Sequence, residues 1–146
     1  MIEIRTLTIN DTDALIVLLA QLWTDKPIDR TEVKRVIEKG LNSGSQTYIC
    51  ATDGGKLIGY CSLTVKNNLW LEANSGIVDE LVVDEVHRNR GVGKMLMAEI
   101  ERIAKDSECK RLDVESADHR VVAHEFYEEL GFEKYEYSSY YFAKEI

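Results

Sequence analysis

"DELVVDEVHRNRGVGKMLM", residues 79–97, passes from an apolar strand-like run through a cation-rich glycine turn into the start of a helix. Within it, Arg88 to Lys94 hold three of the eighteen lysines and arginines of a chain whose formal net charge is −8. A loop that enters a helix presents unpaired backbone N–H groups at the positive end of the helix dipole. Gly91 and Gly93 carry no Cβ, so a large anion can approach that backbone, and Arg88, Arg90 and Lys94 add charge beside it. Phosphate binding follows from these residues alone. The standard nucleotide patterns fail, however. Met95 follows the Gly-Lys pair and Arg88 stands where the first Walker glycine belongs, while Leu96 occupies the third glycine of the dinucleotide pattern. The plain alternative is a capped helix start with surface arginines.

Working outward, Val92, Met95, Leu96, Ile100, Ile103 and Ala104 recur at helical spacing to about Lys105. Upstream, "IEIRTL" alternates as a strand does. Asn10 or Asp11 can cap a helix from about Thr12 to Trp23, with Leu15, Leu18, Leu19 and Leu22 as its apolar stripe. "TDKPID" ends it, and a second helix is expected over about Thr31 to Leu41. "TYICAT" and "KLIGYCSLTV" read as two strands around the turn "DGG", and "GIVDELVV" as the next. "RLDVES" is a short strand, and a helix from about His119 to Leu130 ends at Gly131, whose successor Phe132 suits a Schellman end. "FEKYEYSSYYFAKEI" predicts a final hairpin turning near Ser138 and Ser139. The expected order is β-α-α-β-β-β-α-β-α-β-β: one α/β domain over residues 1–146, with a mixed, mostly antiparallel sheet of about seven strands and about four helices.

The 146 residues suffice for one buried core, and 45% apolar with 30% charged residues is ordinary for a globular chain. The acidic balance argues against binding nucleic acid or an anionic membrane, both of which need many cations. The longest apolar run, Ala14 to Ala20, is too short to span a bilayer. Cys50, Cys61 and Cys109 are odd in number and far apart, so they read as reduced thiols, with no metal site implied. "MIEIRTLTIN" reads as a strand and not as a secretory leader, so a cytoplasmic location is expected.

"RNRGVG", Arg88 to Gly93, matches the R/Q-x-x-G-x-G/A pattern of the GNAT superfamily of N-acetyltransferases. "DELVV" resembles that family's preceding strand and "KMLMAEIERIAK" its long helix. "ESADHRVVAHEFYEELGF" resembles its second cofactor-side segment. The likeness is strong from Val78 to Phe132 and looser outside. It implies acetyl transfer from acetyl-CoA to a primary amine by direct attack on the thioester in a ternary complex, with no metal. It also implies that Arg88, Asn89, Arg90, Gly91, Val92, Gly93 and Lys94 receive the pyrophosphate. The strand before them is implied to carry a bulge and splay from its neighbour, so that pantetheine pairs with the backbone of Leu81, Val82 and Val83. Tyr127 matches the tyrosine that commonly protonates the departing sulfur. Many members place an asparagine seven residues earlier, where this chain has Arg120.

An amine with pKa near 10.4 is neutral only about once in 2,500 molecules at pH 7, so a base assists its attack. Glu80, just before the implied thioester site, is the first candidate and Glu115, at the end of "RLDVE", the second. Glu72 and His119 rank below them. Trp23, Asp25, Trp70, Glu72, Tyr137 and Tyr140 could line an aromatic, acidic pocket for an amine cation, although aromatics at period two also pack as ordinary strand residues. Polyamines, aminoglycosides, amino acids and protein N-termini all remain open as acceptors. So do a longer acyl donor, a non-catalytic acyl-CoA-binding sensor or scaffold of the same fold, and a homodimer.

Overall fold

Apolar residues alternating along extended segments and recurring every three or four along others build five strands and four α-helices among the described residues. The computed structural model describes residues 1–117, 119–135 and 141–146. They form two units, Met1–Glu115 and Ser116–Ile146. The first contains β1 (Ile2–Thr6), α1 (Thr12–Leu22), α2 (Arg30–Leu41), β2 (Gln46–Asp53), β3 (Lys56–Asn68), β4 (Ala73–Val83), α3 (Val92–Asp106) and β5 (Cys109–Val114). The strands lie side by side in chain order. The three pairings from β1 to β4 are antiparallel, and β5 returns parallel to β4 after α3.

The expected sheet of about seven mostly antiparallel strands is therefore corrected to a mixed sheet of five among the described residues. The other two were expected in 132–146. Residues 136–140 of that stretch lie outside the described residues, and 132–135 and 141–146 form no strand. A strand needs a neighbour for its backbone and a face to bury. Tyr141 and Phe142 are instead almost fully exposed.

Each face of the sheet of the first unit carries a core. On one side Leu15, Leu18 and Leu19 of α1 and Ile37 of α2 cluster with Tyr48, Cys50, Tyr60 and Val82 from the strands. On the other, Val92, Leu96 and Ile100 bury the apolar stripe of α3. Gly59 of β3 permits that approach, since a Cβ there would stand 3.0 Å from Val92 Cγ1 and 3.1 Å from Leu96 Cδ1. Asp11, one of the two expected cap positions, is the N-cap of α1, but its carboxylate bonds elsewhere. That carboxylate accepts the Thr8 N–H (2.8 Å) and a fork from Arg5 (2.8 and 2.9 Å), which closes the 3-10 turn before α1 and leaves α1 without a side-chain cap. α2 is capped conventionally, Asp29 accepting the Glu32 N–H at 3.1 Å.

The second unit holds α4 (Val121–Glu129). Its end is the expected Schellman motif: Phe132 N–H donates to the Tyr127 carbonyl (3.1 Å) and Gly131 N–H to that of Glu128 (3.0 Å). The Tyr127 and Phe132 rings meet edge to face at 5.7 Å. Among the described residues no helix is long and apolar enough to cross a membrane.

Candidate active site

The register of β3 against β4 slips once. Cys61 faces Leu81 and Leu63 faces Val78, so Ser62 alone stands opposite both Asp79 and Glu80. This is a β-bulge, and it turns two neighbouring side chains toward one face. The hydroxyl residues of β3 on that face meet them: Thr64 Oγ1 donates to Asp79 Oδ2, and Ser62 Oγ donates to Glu80 Oε1 at 2.8 Å. Tyr60 Oη also donates to Glu80 Oε1, at 3.2 Å. The β4–β5 pairing stops at Val78 and Val114. Leu81, Val82 and Val83 therefore pair with β3 on one side, while their other edge has no strand beside it among the described residues.

Glu80 is half-buried on this bulge. Desolvation raises its pKa above the ordinary carboxylate range and the like charge of Asp79 adds to the rise, while the Ser62 and Tyr60 hydroxyls oppose it. The group is thus poised to hold a proton more readily than a surface glutamate. Glu115 is exposed, one residue past the end of β5.

Beyond Val83 the chain enters the glycine turn under tight control. Asp84 N–H bonds the Ile58 carbonyl at 2.8 Å. Gln21 of α1 donates to Asp84 Oδ1 (3.1 Å) and accepts the Glu85 N–H (2.9 Å), and His87 Nδ1 lies 3.0 Å from Asp84 Oδ2. The Gln21 amide, with His87 and Lys56 beyond it, holds the nearly buried Asp84 carboxyl below its usual range. Asn89 (φ +61°) and Gly91 (φ +80°) adopt the left-handed conformation, and a Cβ on Gly91 would meet no atom within 4 Å. The first α3 bond runs from Met95 N–H to the Gly91 carbonyl, so the N–H groups of Val92, Gly93 and Lys94 precede the helical ladder. The space beside Gly91 and these amides fit a pyrophosphate cradle. The cations are partly engaged: Arg90 pairs with Asp53 at 2.9 Å, and Arg88 Nε donates to the Val83 carbonyl at 3.3 Å.

Other sequence candidates fall elsewhere. Glu72 occupies the β3–β4 turn at φ +54°, and eight residues of strand place it roughly 25 Å from Glu80. Trp70 shares that turn, 82% exposed, with the Arg111 guanidinium 5.8 Å from its ring. Trp23 closes α1 and packs on the core of the first unit, with Lys26 5.8 Å from its ring. The two tryptophans thus have different cations beside their rings. Asp25 is exposed, and Tyr137 and Tyr140 lie outside the described residues. In the second unit, His119 and Arg120 are exposed before α4, while Tyr127 is half-buried between Phe126 (5.3 Å) and Phe132. Sequence reading missed Tyr60, Ser62, Gln21, Asp84 and His87. A signal existed for the first two, since Tyr60, Ser62 and Thr64 place hydroxyls at period two in the otherwise apolar stretch Leu57 to Val65.

Known proteins share this frame. A glucosamine 6-phosphate N-acetyltransferase of Trypanosoma brucei brucei is 26% identical over 137 residues, 92% of this chain and 91% of that protein. The glucosamine-6-phosphate N-acetyltransferase of Arabidopsis thaliana superposes with a TM-score of 0.82 at 24% identity, over 98% of this chain and 99% of its own. AAC(6')-Iy in complex with the bisubstrate analogue CoA-S-monomethyl-acetylneamine superposes at 0.83 with 19% identity, covering 99% of each chain. At these identities the structural likeness is one of fold. The acetyltransferase (GNAT) family model, in contrast, matches the sequence itself over residues 13–132, spanning the bulged strand, the glycine turn and α4. The chain belongs to that family of acetyltransferases.

Proposed function

We propose that the protein acetylates the primary amine of an amino sugar, with acetyl-CoA as donor and both substrates bound together. The observation that carries this reading is the continuity of β4: a bulge bearing a half-buried carboxylate, an edge without a partner strand among the described residues, then an open left-handed glycine at a helix start. Pantetheine pairs along Leu81, Val82 and Val83, and its pyrophosphate meets the backbone of Arg88 to Lys94. The neutral amine attacks the thioester carbon. The C–N bond forms, the C–S bond breaks, the amine proton passes to Glu80, and the sulfur takes the proton of the Tyr127 hydroxyl. Glu115 is the alternative base.

The choice of amino sugars rests on the glucosamine 6-phosphate relative and on the neamine-derived analogue bound to the structural neighbour. The test is thiol release from acetyl-CoA against a panel containing glucosamine 6-phosphate, neamine, spermidine, lysine and an N-terminal peptide. Fastest turnover on one of the first two is expected. Preference for spermidine, lysine or the peptide would move the acceptor class, and acetyl-CoA binding without turnover on any amine would favour a sensor.

A further inference from the structure

We propose that Ser62 is the positioning residue for Glu80: one hydroxyl grips both the backbone and the carboxylate of the base and so aims it. This rests on the reading of Glu80 as base. A bulge leaves a backbone N–H without its ladder partner, and here the Glu80 N–H lands on Ser62 Oγ at 3.1 Å. The same oxygen sends its single proton to Glu80 Oε1 at 2.8 Å. The two bonds close a ring through the glutamate's own side chain, so the bulge and the carboxylate rotamer are fixed together. Tyr60 Oη adds a longer bond to the same Oε1. Oε2 makes no bond among the described residues and is the oxygen left to accept a proton.

Ser62 is fully buried in the middle of β3, where an apolar residue would pack without the cost of desolvating a hydroxyl. Its hydroxyl meets both the carboxylate and the N–H of Glu80, and its neighbours Cys61 and Leu63 are buried apolar residues. The titratable groups that interact with Glu80 are Tyr60 and Cys61 on β3, Tyr48 on β2 and Asp79 beside it on β4. Burial pushes the first three upward, so they stay neutral through an ordinary assay range, and Tyr60 remains a donor. Asp79 is then the charged neighbour.

The experiment compares wild-type enzyme with Ser62→Ala, the isosteric Ser62→Cys, Tyr60→Phe and Glu80→Gln. It reads kcat against pH with the best amine of the panel, and KM for acetyl-CoA. A carboxyl 13C titration reads Glu80 without any substrate. Ser62→Ala should lower kcat about tenfold and move both the acidic limb and the Glu80 titration upward by about one pH unit, since a hydrogen bond to the charged form is lost. Ser62→Cys should shift them in the same direction by less, and so should Tyr60→Phe. KM for acetyl-CoA should stay within about twofold, because the hold lies on the carboxylate and not on the pyrophosphate turn. A Glu80 titration and acidic limb that coincide with wild type in both Ser62 variants would overturn the positioning role and leave the base intact. An acidic limb retained in Glu80→Gln would overturn the base, and the role of Ser62 with it.

Discussion

Burial beside the Tyr60 ring strips water from the Glu80 carboxylate, and Asp79 sets a like charge next to it, so folding moves this group toward its neutral form. A carboxylate whose folded pKa exceeds its unfolded value binds its proton more tightly in the native chain. The stability it contributes is complete below the unfolded pKa, near 4.3, and is lost as pH rises through the raised folded value. Glu80→Gln removes that loss and still offers an acceptor to the Ser62 and Tyr60 hydroxyls. Its melting temperature at pH 7 should therefore equal or exceed wild type, while kcat falls by about 10²-fold, a typical general-base contribution. A variant that melts well below wild type at pH 7 would show that the charged form is favoured by the fold. Tyr127 presents a different balance, because its ring packs between Phe126 and Phe132 whether or not its hydroxyl reacts. Tyr127→Phe keeps that packing. It should lower kcat about tenfold or more with little change in KM for acetyl-CoA, and full turnover across the pH range would remove the hydroxyl from the reaction.

At the scale of elements, β4 and α3 share one device, backbone that lies beyond the regular ladder of its own element among the described residues. β5 ends at Val114, so among the described residues no strand borders the last residues of β4 on that side, and α3 begins after a left-handed Gly91 with three amides ahead of its ladder. The Gln21–Asp84–His87 ties hold the connection between them against α1. Gly91→Asp strains the left-handed φ and sets a negative charge in the cradle proposed for the pyrophosphate. KM for acetyl-CoA should rise at least tenfold with kcat changed much less, as steady-state kinetics would read. Unchanged affinity would move the cradle elsewhere. This turn was legible in the sequence because its chemistry is local: two glycines, three cations and a helix start within seven residues. The Schellman end at Gly131 was legible for the same reason. The partners of Ser62 and Gln21 were not, since each acts on a residue 18 or 63 positions away that only the folded sheet and α1 bring near. Asp11 was legible as one of two cap positions for α1, but that its carboxylate goes to Arg5 and the Thr8 N–H was not.

For the whole molecule, an excess of eight negative charges makes each carboxylate's partner matter to acid stability. Glu80 gains stability as pH falls, while paired aspartates lose theirs, and Asp11 is the clearest of the second kind. The Arg5 fork, aided by the Thr8 N–H and hydroxyl, lowers its pKa to about 2. A folded pKa below the unfolded value, near 3.9, gives stability that is complete above that value and is lost as pH falls toward about 2. The pair also joins β1 to the turn before α1, so losing it loosens the entry of the chain into the core of the first unit. Arg5 is well exposed, and solvent screening reduces what the pair contributes to about 1 kcal/mol. Asp11→Asn should accordingly melt roughly 3 °C below wild type at pH 7, by the usual scaling for a chain of this size. The gap should close as pH drops from 4 toward 2, where wild type loses the same charge. A gap that stayed constant over that interval would assign the effect to the Thr8 turn and not to the ion pair with Arg5.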